Sequence, residues 1–443
     1  MKDINKKYAD IVRERYEENV ISGLAAKAYM ESSTAIYKGV PVDCLYLPKI
    51  FSKEAHEYLK QSAQTMYRII EKVIQRYLDD ENYRKLFPFP KELEDLILIE
   101  AGYPCLLPIA RIDIFFNEED FSFKYCEFNA DGASAMNEDR ELGTALKNSD
   151  ALVKLSETCE ISPFEYFDSW VREFADIYSS YDKKVASPRI IITDFMEGAI
   201  ATEFTEFKKA FVKAGYDTDI CEIRDLIYED GQLKTPDGKK VDAVYRRAVT
   251  RDVMEHKEEI EAFITAARER AVCIIGHFRT QVIHNKTIFL ILRHKDTLAF
   301  LTEAEQEYVL RHIPETLKLN TGEFDLEAVV NNKDKWIIKP EDMYASKGVY
   351  AGMDFDRDTW LKTVKEAMDT GYLLQEYHIP YKSENLNFNK SARPGFETYN
   401  NITGMYMYNG KLQGFYSRAG QKGTISSAAG GLTLLSLLAT EKK

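Results

Sequence analysis

Apolar residues recur at a helical period through much of the first hundred residues of the chain. From Lys53 to Asp80 they repeat about every 3.6 residues, which predicts one long amphipathic helix, and Pro88 and Pro90 prevent its continuation. A different pattern begins at Arg111, where polar and apolar residues alternate with period two as far as Asn129. Such alternation is typical of strands, and the polar residues in its middle predict a hairpin.

The remaining pattern predicts helices over Asp139–Tyr181 and then an α/β lobe. The elements predicted for that lobe are strand Arg189–Thr193, helix Ala201–Ala214, strand Thr218–Glu222, strand Ala243–Arg246, helix Met254–Arg270 and strand Val272–Ile275. An apolar-periodic segment, Lys286–His312, leads to a final region of strands with one helix. That region is predicted as strands Lys335–Lys339 and Gly348–Gly352, helix Asp358–Thr370, strand Tyr372–Tyr377 and two last strands near Gly404–Tyr408 and Leu412–Arg418.

This order of elements is not that of a doubly wound sheet. It favours an α/β (α+β) class with an antiparallel lobe that clasps a nucleotide. Because 443 residues exceed one typical domain, we expect several packed lobes. The predicted segments are a mostly helical region 1–110, the hairpin and helices of a core 111–188, an α/β substrate lobe 189–284 and a nucleotide-binding lobe 285–443.

Composition and charge narrow the class of partner. Hydrophobic residues make up 45% of the chain, which excludes intrinsic disorder. Lys and Arg total 59 against 72 Asp and Glu, and the net charge of −13 argues against nucleic acid or membrane as the main partner, although a small anion in a local pocket is not excluded. The six cysteines form no C-x-x-C pair and the N-terminal residues resemble no signal peptide, so a cytoplasmic location is expected.

The predicted hairpin gathers polar side chains on one face. Alternation places Arg111 and Asp113 on a common face of the first strand, and Glu127 and Asn129 on a common face of the second. A loop of three residues would set Arg111 opposite Glu127 and Asp113 opposite Tyr125, with Asp113 diagonal to Glu127.

Carboxylate and amide oxygens on one patch are ligands that Mg²⁺ prefers. The hairpin therefore predicts a metal site formed by Asp113, Glu127 and Asn129. The structural alternative is an amphipathic hairpin with a solvated polar face, on which Arg111 forms a salt bridge with Glu127.

A second segment suggests phosphate binding. Lys339 ends the apolar strand that begins at Trp336, and a buried ammonium there needs an anion. The loop that follows ends in Ser346-Lys347-Gly348 and is not a Walker A motif; its backbone N–H groups are suited to covering phosphates, while the alternative is a surface lysine and a turn. Further on, another apolar strand ends in Gln375-Glu376-Tyr377, and its backbone groups could bind an adenine base. The alternative is a buried strand that is followed by a proline turn.

Together these segments resemble the nucleotide site of the ATP-grasp superfamily. The motif letters are IIKP, a loop ending SKGVYAG, and a strand ending QEY. The Arg-x-Asp … Glu-x-Asn hairpin stands before that site, which resembles the permuted order of the glutathionylspermidine synthase family. The resemblance runs from Arg111 to the C-terminus; it includes no amidase domain, and the lysine loop has fewer glycines than is usual.

The resemblance implies roles for particular residues and implies ATP and Mg²⁺ as cofactors. The implied sets are Asp113, Glu127 and Asn129 for Mg²⁺; Arg111 and Arg418 for catalysis; and Lys286, Lys339, Lys347, Gln375, Glu376 and Tyr377 for ATP. Lys295 and Lys318 are rivals of Lys286 for the second phosphate lysine, and a lid over residues 341–347 is expected to exclude water. Either Arg246 or Arg247 is a candidate for the substrate carboxylate, the alternative being a structural salt bridge.

The activity that the resemblance implies is that of a ligase. An ATP-dependent carboxylate-amine ligase would join a small-molecule or peptide carboxylate to an amine through an acyl phosphate and release ADP and phosphate. Two alternatives stay open: a phosphotransferase on the same fold, and a nucleotide-binding protein without turnover.

Overall fold

The computed structural model describes residues 1–343, 347–425 and 430–442. Within these residues the helices are α1 Lys2–Glu14, α2 Tyr16–Ser32, α3 Lys53–Asp79, α4 Glu81–Arg84, α5 Lys91–Ile97, α6 Met136–Leu146, α7 Asp150–Ser156, α8 Phe167–Ser179, α9 Ala201–Lys213, α10 Thr250–Glu255, α11 Glu261–Arg268, α12 Gln281–His284, α13 Ile288–Leu292, α14 Lys295–Leu298, α15 Glu303–His312, α16 Leu326–Asn331 and α17 Arg357–Ala367.

The strands combine into several sheets. They are β1 Ile36–Tyr37, β2 Val40–Pro41, β3 Lys49–Ser52, β4 Ile109–Phe116, β5 Phe123–Asn129, β6 Cys159–Pro163, β7 Arg189–Asp194, β8 Asp217–Glu222, β9 Ile227–Glu229, β10 Gln232–Lys234, β11 Ala243–Arg246, β12 Cys273–Ile275, β13 Thr316–Lys318, β14 Trp336–Pro340, β15 Tyr350–Ala351, β16 Tyr372–Glu376, β17 Lys382–Leu386, β18 Phe396–Tyr408, β19 Lys411–Gly420, β20 Leu432–Leu434 and β21 Ser436–Glu441.

A six-stranded antiparallel sheet carries the predicted hairpin. Its order is β20-β19-β18-β4-β5, and β17 pairs with β18. The long helix α3 contributes Met66 and Ile70 to the same buried cluster as Ile112 and Ile114 of β4, so the apolar stripe of α3 lies in the core beside this sheet. The helix predicted over Lys53–Asp80 is thereby confirmed.

The predicted α/β lobe is present as a parallel sheet of order β12-β11-β7-β8. Its strands lie within a residue or two of the predicted bounds. The helix predicted over Met254–Arg270 is wrong in one respect, because α10 and α11 are separate and a 3₁₀ turn at Lys257–Glu259 lies between them. The break brings Ile260 into the core, where it is 1% exposed.

The continuous helical stretch predicted over Asp139–Tyr181 is also wrong. Strand β6 interrupts it and pairs antiparallel with β21, almost three hundred residues later in the sequence. The prediction that the strand near Arg418 is the last one fails for the same reason, because β20 and β21 follow it. Pairing between such distant segments leaves no local pattern in either of them.

The last lobe contains an antiparallel sheet of order β13-β16-β14-β15, packed on α16 and α17 around the buried Trp360. The fold class is therefore mixed α/β of the α+β kind, as predicted. The four segment boundaries stay predictions; the six-stranded sheet takes strands from both 109–129 and 382–434. Among the described residues no helix combines the length and apolarity needed to cross a bilayer.

Candidate functional site

Strands β4 and β5 form the predicted hairpin with a different register. Arg111 lies opposite Asn129, and Asp113 lies directly opposite Glu127, so the predicted pairs Arg111 with Glu127 and Asp113 with Tyr125 are wrong. The register shifts between Asp113 and Ile114 because Cys126 is an extra residue on β5, a β-bulge, and the turn is longer than three residues. The bulge brings the two carboxylates opposite each other rather than on a diagonal.

Asp113 is completely buried at the centre of a cluster of polar side chains. Arg111 donates to it from Nε at 2.8 Å and from Nη2 at 3.2 Å. Arg418, from β19, donates from Nη2 at 2.8 Å, and the Asn129 amide nitrogen lies 3.3 Å away. Both oxygens of Asp113 therefore accept hydrogen bonds. These bonds compensate its buried charge, and they would have to be exchanged before Asp113 could bind a ligand.

The two arginines share an aromatic partner that the sequence analysis missed. The guanidinium of Arg111 lies 5.4 Å from the centre of the Tyr416 ring, and that of Arg418 lies 5.6 Å from it. The Tyr416 hydroxyl donates to the buried carboxylate of Glu138, on α6. Position 416 is two residues before Arg418 on a strand and so shares its face, which is a signal the sequence contained; nothing local pointed to Glu138.

Glu127 contacts Lys286, one of the predicted phosphate lysines, and feels the charge of another, Lys339. Burial raises its pKa, but Lys286 at 3.1 Å and the nearby Lys339 outweigh that effect and lower the pKa to about 2. Glu127 is therefore ionised at neutral pH. Its side chain is 23% exposed, so of the two hairpin carboxylates it is the one that a ligand can reach.

Lys339, on β14, extends its side chain to the bulge of the hairpin. Its ammonium donates to the carbonyl of the bulge residue Cys126 at 3.0 Å and to Gln375 Oε1 at 2.8 Å. Gln375 in turn donates to Thr316 on β13. In this structure Gln375, predicted as an ATP contact, holds Lys339 in place.

The three candidates for the second phosphate lysine differ in position. Lys286 is buried, contacts Glu127 and donates to the backbone carbonyl of Met343. Lys295 and Lys318 are both exposed. The geometry thus places Lys286 in contact with Glu127, with Lys339 close enough to act on the same carboxylate electrostatically.

The predicted adenine contacts are partly occupied by the protein itself. The Glu376 N–H donates to the Glu315 carbonyl at 2.8 Å, and the Tyr377 N–H donates to the Lys335 carbonyl at 2.8 Å. An adenine at this strand end would therefore not receive those two N–H groups unless a backbone bond were exchanged.

The start of the predicted lid is tied to other elements. Arg251 donates to the Asp342 carbonyl at 2.7 Å, and Gln281 donates to the Asp342 carboxylate at 3.1 Å. Residues 344–346 of the lid lie outside the described residues. Lys347, which follows them, is exposed.

Arg246 and Arg247 both form buried structural ion pairs. Arg246 pairs with Asp131, and Arg247 pairs with Glu203. Arg247 also donates to the carbonyl of Ala133, in the loop that leaves the hairpin. The structural alternative is thus the one observed, and both arginines fix that loop against the parallel sheet.

The oxygen atoms predicted to bind Mg²⁺ lie on one face of the hairpin, but they differ in how accessible they are to a cation. In residues 1–343, 347–425 and 430–442 no group of three or more His, Cys, Asp or Glu side chains is placed to hold a metal, so the amide of Asn129 has to complete any set. Glu127 is ionised and accessible, which fits a hard cation. Asp113 could bind the cation only after it gives up one of its two arginine partners.

Gly404, on β18, leaves the space that this cluster needs. A Cβ atom at this position would lie 2.6 Å from Asp113 Oδ1 and 2.8 Å from Arg111 Cδ. We expect Gly404→Ala to lower the free energy of unfolding by about 1–3 kcal/mol through overpacking, measured by urea denaturation. Gly395→Ala is the control, since its Cβ meets no atom within 4 Å; equal stability of both variants would contradict this packing.

Comparisons with known proteins identify a shared fold. No protein-family model matches the sequence, and neither does any curated protein. A glutathione synthetase-like effector (GSS30) from Globodera pallida, solved in apo form, is 12% identical, with a TM-score of 0.63 over 94% of this chain and 96% of that one. A chain named "Putative gamma-glutamylcysteine synthetase", from Methylobacillus flagellatus, is 11% identical over 80% of this chain and 82% of that one; its TM-score of 0.30 supports no inference. The chain therefore has the fold of a glutathione synthetase-like protein.

Proposed function

We propose that this protein is an ATP-dependent ligase that joins a carboxylate to an amine and releases ADP and phosphate. The observation that carries the proposal is that two buried lysines from separate elements lie at Glu127. Lys286 contacts its ionised carboxylate, and Lys339, on the carbonyl of the neighbouring Cys126, acts on it electrostatically. The fold shared with a glutathione synthetase-like protein supports it. The ATP-grasp arrangement and the likeness to glutathionylspermidine synthases belong to this proposal as well.

The residues around Glu127 are suited to holding a polyphosphate. Lys286 and Lys339 are buried cations whose charge the single carboxylate of Glu127 only partly balances, so the local potential favours an anion. Mg²⁺, when bound, would neutralise phosphate charge, with oxygens of Glu127, Asn129 and Asp113 as its ligands. Transfer of a phosphoryl group needs little from a protein beyond such positioning and charge balance.

Arg111 and Arg418 are the residues proposed to stabilise charge that develops on the reacting groups. Their guanidinium groups are stacked on Tyr416 and paired with Asp113, which lies directly opposite Glu127 in the hairpin. A fixed cation contributes most when it needs no reorganisation at the moment of reaction. The acyl phosphate and the identity of both substrates, a peptide or small carboxylate and an amine, are part of the proposal.

A second candidate is a nucleotide-binding protein without turnover. The observation in its favour is that Asp113 already accepts from both Arg111 and Arg418, so one metal ligand is occupied and part of the arginines' charge is balanced. In an active ligase, binding of substrate has to separate at least one of these pairs.

The test is the release of ADP from Mg·ATP with panels of paired carboxylates and amines, with products identified by mass spectrometry. The ligase proposal expects ADP release that requires both substrates, and a new amide product of matching mass. A stable phosphorylated product would assign a phosphotransferase instead. ATP binding with no ADP from any pair, and no effect of Glu127→Gln on binding, would overturn the ligase proposal.

A further inference from the structure

A polar cavity that neither Lys286 nor Lys339 lines is present elsewhere in the fold. It has a volume of about 240 Å³ and opens between α1, the start of β3, the hairpin turn and β17. Its polar lining includes Asn5, Lys6, Lys49, Glu118, Lys382 and Asn401. None of these residues belongs to the candidate ATP site.

The cavity is on the opposite face of the six-stranded sheet from the arginine cluster. In β18, Ile402 lies opposite Arg418 and Gly404 lies opposite Asp113, so positions 402 and 404 share the face of the cluster. Asn401, which lines the cavity, is the neighbour of Ile402 and points to the other side. The cavity is therefore not a part of the candidate ATP site.

Lys49 is the feature of this cavity that calls for a ligand. Its side chain is 2% exposed, and its ammonium makes no hydrogen bond within the described residues. The nearest charge is Glu118 Oε1 at 3.2 Å, without hydrogen-bond geometry. An ammonium has three N–H donors, and burying them without a hydrogen-bond acceptor is unfavourable, so the charge of Glu118 is the compensation that Lys49 has in this structure.

Glu118 supplies the complementary charge in the same cavity. It is 4% exposed, and Asn5 donates to its Oε2 at 3.0 Å, so its other oxygen is the one that faces Lys49. The cavity thus presents a buried cation and a buried anion side by side. A zwitterion is the kind of molecule that satisfies both, its carboxylate at Lys49 and its ammonium at Glu118.

The rim selects for additional negative charge. Lys6 and Lys382 are exposed at the mouth, as is Lys2, which pairs with Glu119. The whole lining has five basic against two acidic residues in a chain of net charge −13. Such a local excess attracts an anion. Its volume of about 240 Å³ is large enough to hold an amino acid.

We propose that this cavity is a binding site for a small acidic amino acid or a molecule of that class, separate from the ligase site. The carboxylate attached to the α-carbon accepts from Lys49, the ammonium donates to Glu118, and the second carboxylate faces the rim lysines.

The test is isothermal titration calorimetry of the full chain with L-glutamate as probe. Saturable binding is expected, and glutarate, which lacks the ammonium, should bind about tenfold more weakly or less. Lys49→Met should weaken L-glutamate binding by roughly 10- to 100-fold, because a hydrogen bond to a charged group is lost. Lys382→Gln, at the exposed rim, should weaken it a few-fold without any risk to folding.

The outcomes separate this site from the ligase site. Lys339→Met should leave L-glutamate binding unchanged, so that failure of the ligase proposal leaves this one standing. Binding of L-glutamate that is unaffected by both Lys49→Met and Lys382→Gln would overturn the assignment. So would the absence of saturable binding by the wild-type protein, or equal affinity for L-glutamate, glutarate and inorganic phosphate.

Discussion

Replacing Glu127 with Gln is expected to lower ATP-dependent turnover by roughly 10²- to 10³-fold, a loss comparable to that from removing one preorganised electrostatic group of an active site. The change removes the carboxylate that pairs with Lys286 and acts electrostatically on Lys339, while it preserves the shape of the side chain. Lys286 then loses its counterion, and any metal loses its accessible ligand. Steady-state ADP release measures the effect.

A matched control lies in the same hairpin. Glu119 is in the turn, is half exposed and pairs with Lys2 at the surface. Glu119→Gln should retain wild-type turnover, and circular dichroism should show both variants folded. If Glu127→Gln and Glu119→Gln have the same turnover, Glu127 has no part in the chemistry.

Replacing Asp139 with Asn is expected to stabilise the fold, and more so as pH rises. Burial raises the pKa of Asp139 to about 8, with the neighbouring Glu138 adding to the effect, although Ser436 and Tyr166 donate hydrogen bonds to its carboxylate. Folding therefore takes up a proton at any pH between the unfolded and folded pKa values. That uptake makes the wild-type fold less stable by about 1.4 kcal/mol for each pH unit from about 4 to 8.

Asn does not titrate, so Asp139→Asn removes this loss of stability with rising pH. The gain from Asp139→Asn should be about 1–2 kcal/mol at pH 5 and about 4 kcal/mol at pH 7, and it should level off above pH 8. Urea denaturation across this range measures it. Asp358→Asn, at a side chain that is 95% exposed, is the control and should show no such trend. A gain from Asp139→Asn that is the same at pH 5 and pH 8 would contradict an uncharged Asp139 in the folded protein.

Local periodicity was enough to predict the elements that repeat within a few residues. Helix α3 and the alternation that brings Arg111 and Asp113 to one face both depend on spacing along a single segment. The fold class followed from the order of such elements. Local patterns do not identify the strand with which another strand pairs. Strand β6 pairs with β21, and nothing near Cys159 indicates a strand about 280 residues later.

For the candidate site too, local sequence predicted some features, and others depend on the finished fold. The residue types of the hairpin were sufficient to select Asp113 and Glu127, but the bulge at Cys126, which changes their pairing, has no sequence signal. Tyr416 and Glu138 come together from segments almost 280 residues apart, so their contact depends on the finished fold. The pairing of Asp113 with two arginines likewise appears only once β4 and β19 lie on either side of β18.

The most direct test of the central claim is the binding of a non-hydrolysable ATP analogue, measured by isothermal titration calorimetry with and without Mg²⁺. The claim is that Lys286 and Lys339 form a phosphate site beside Glu127. The account predicts saturable binding that depends on Mg²⁺ and is weakened at least tenfold by Lys286→Met and by Lys339→Met. Lys362→Met, at an exposed lysine of the same lobe, should bind as the wild type does. Binding that is absent in the wild type, or equal in all three variants, would contradict it.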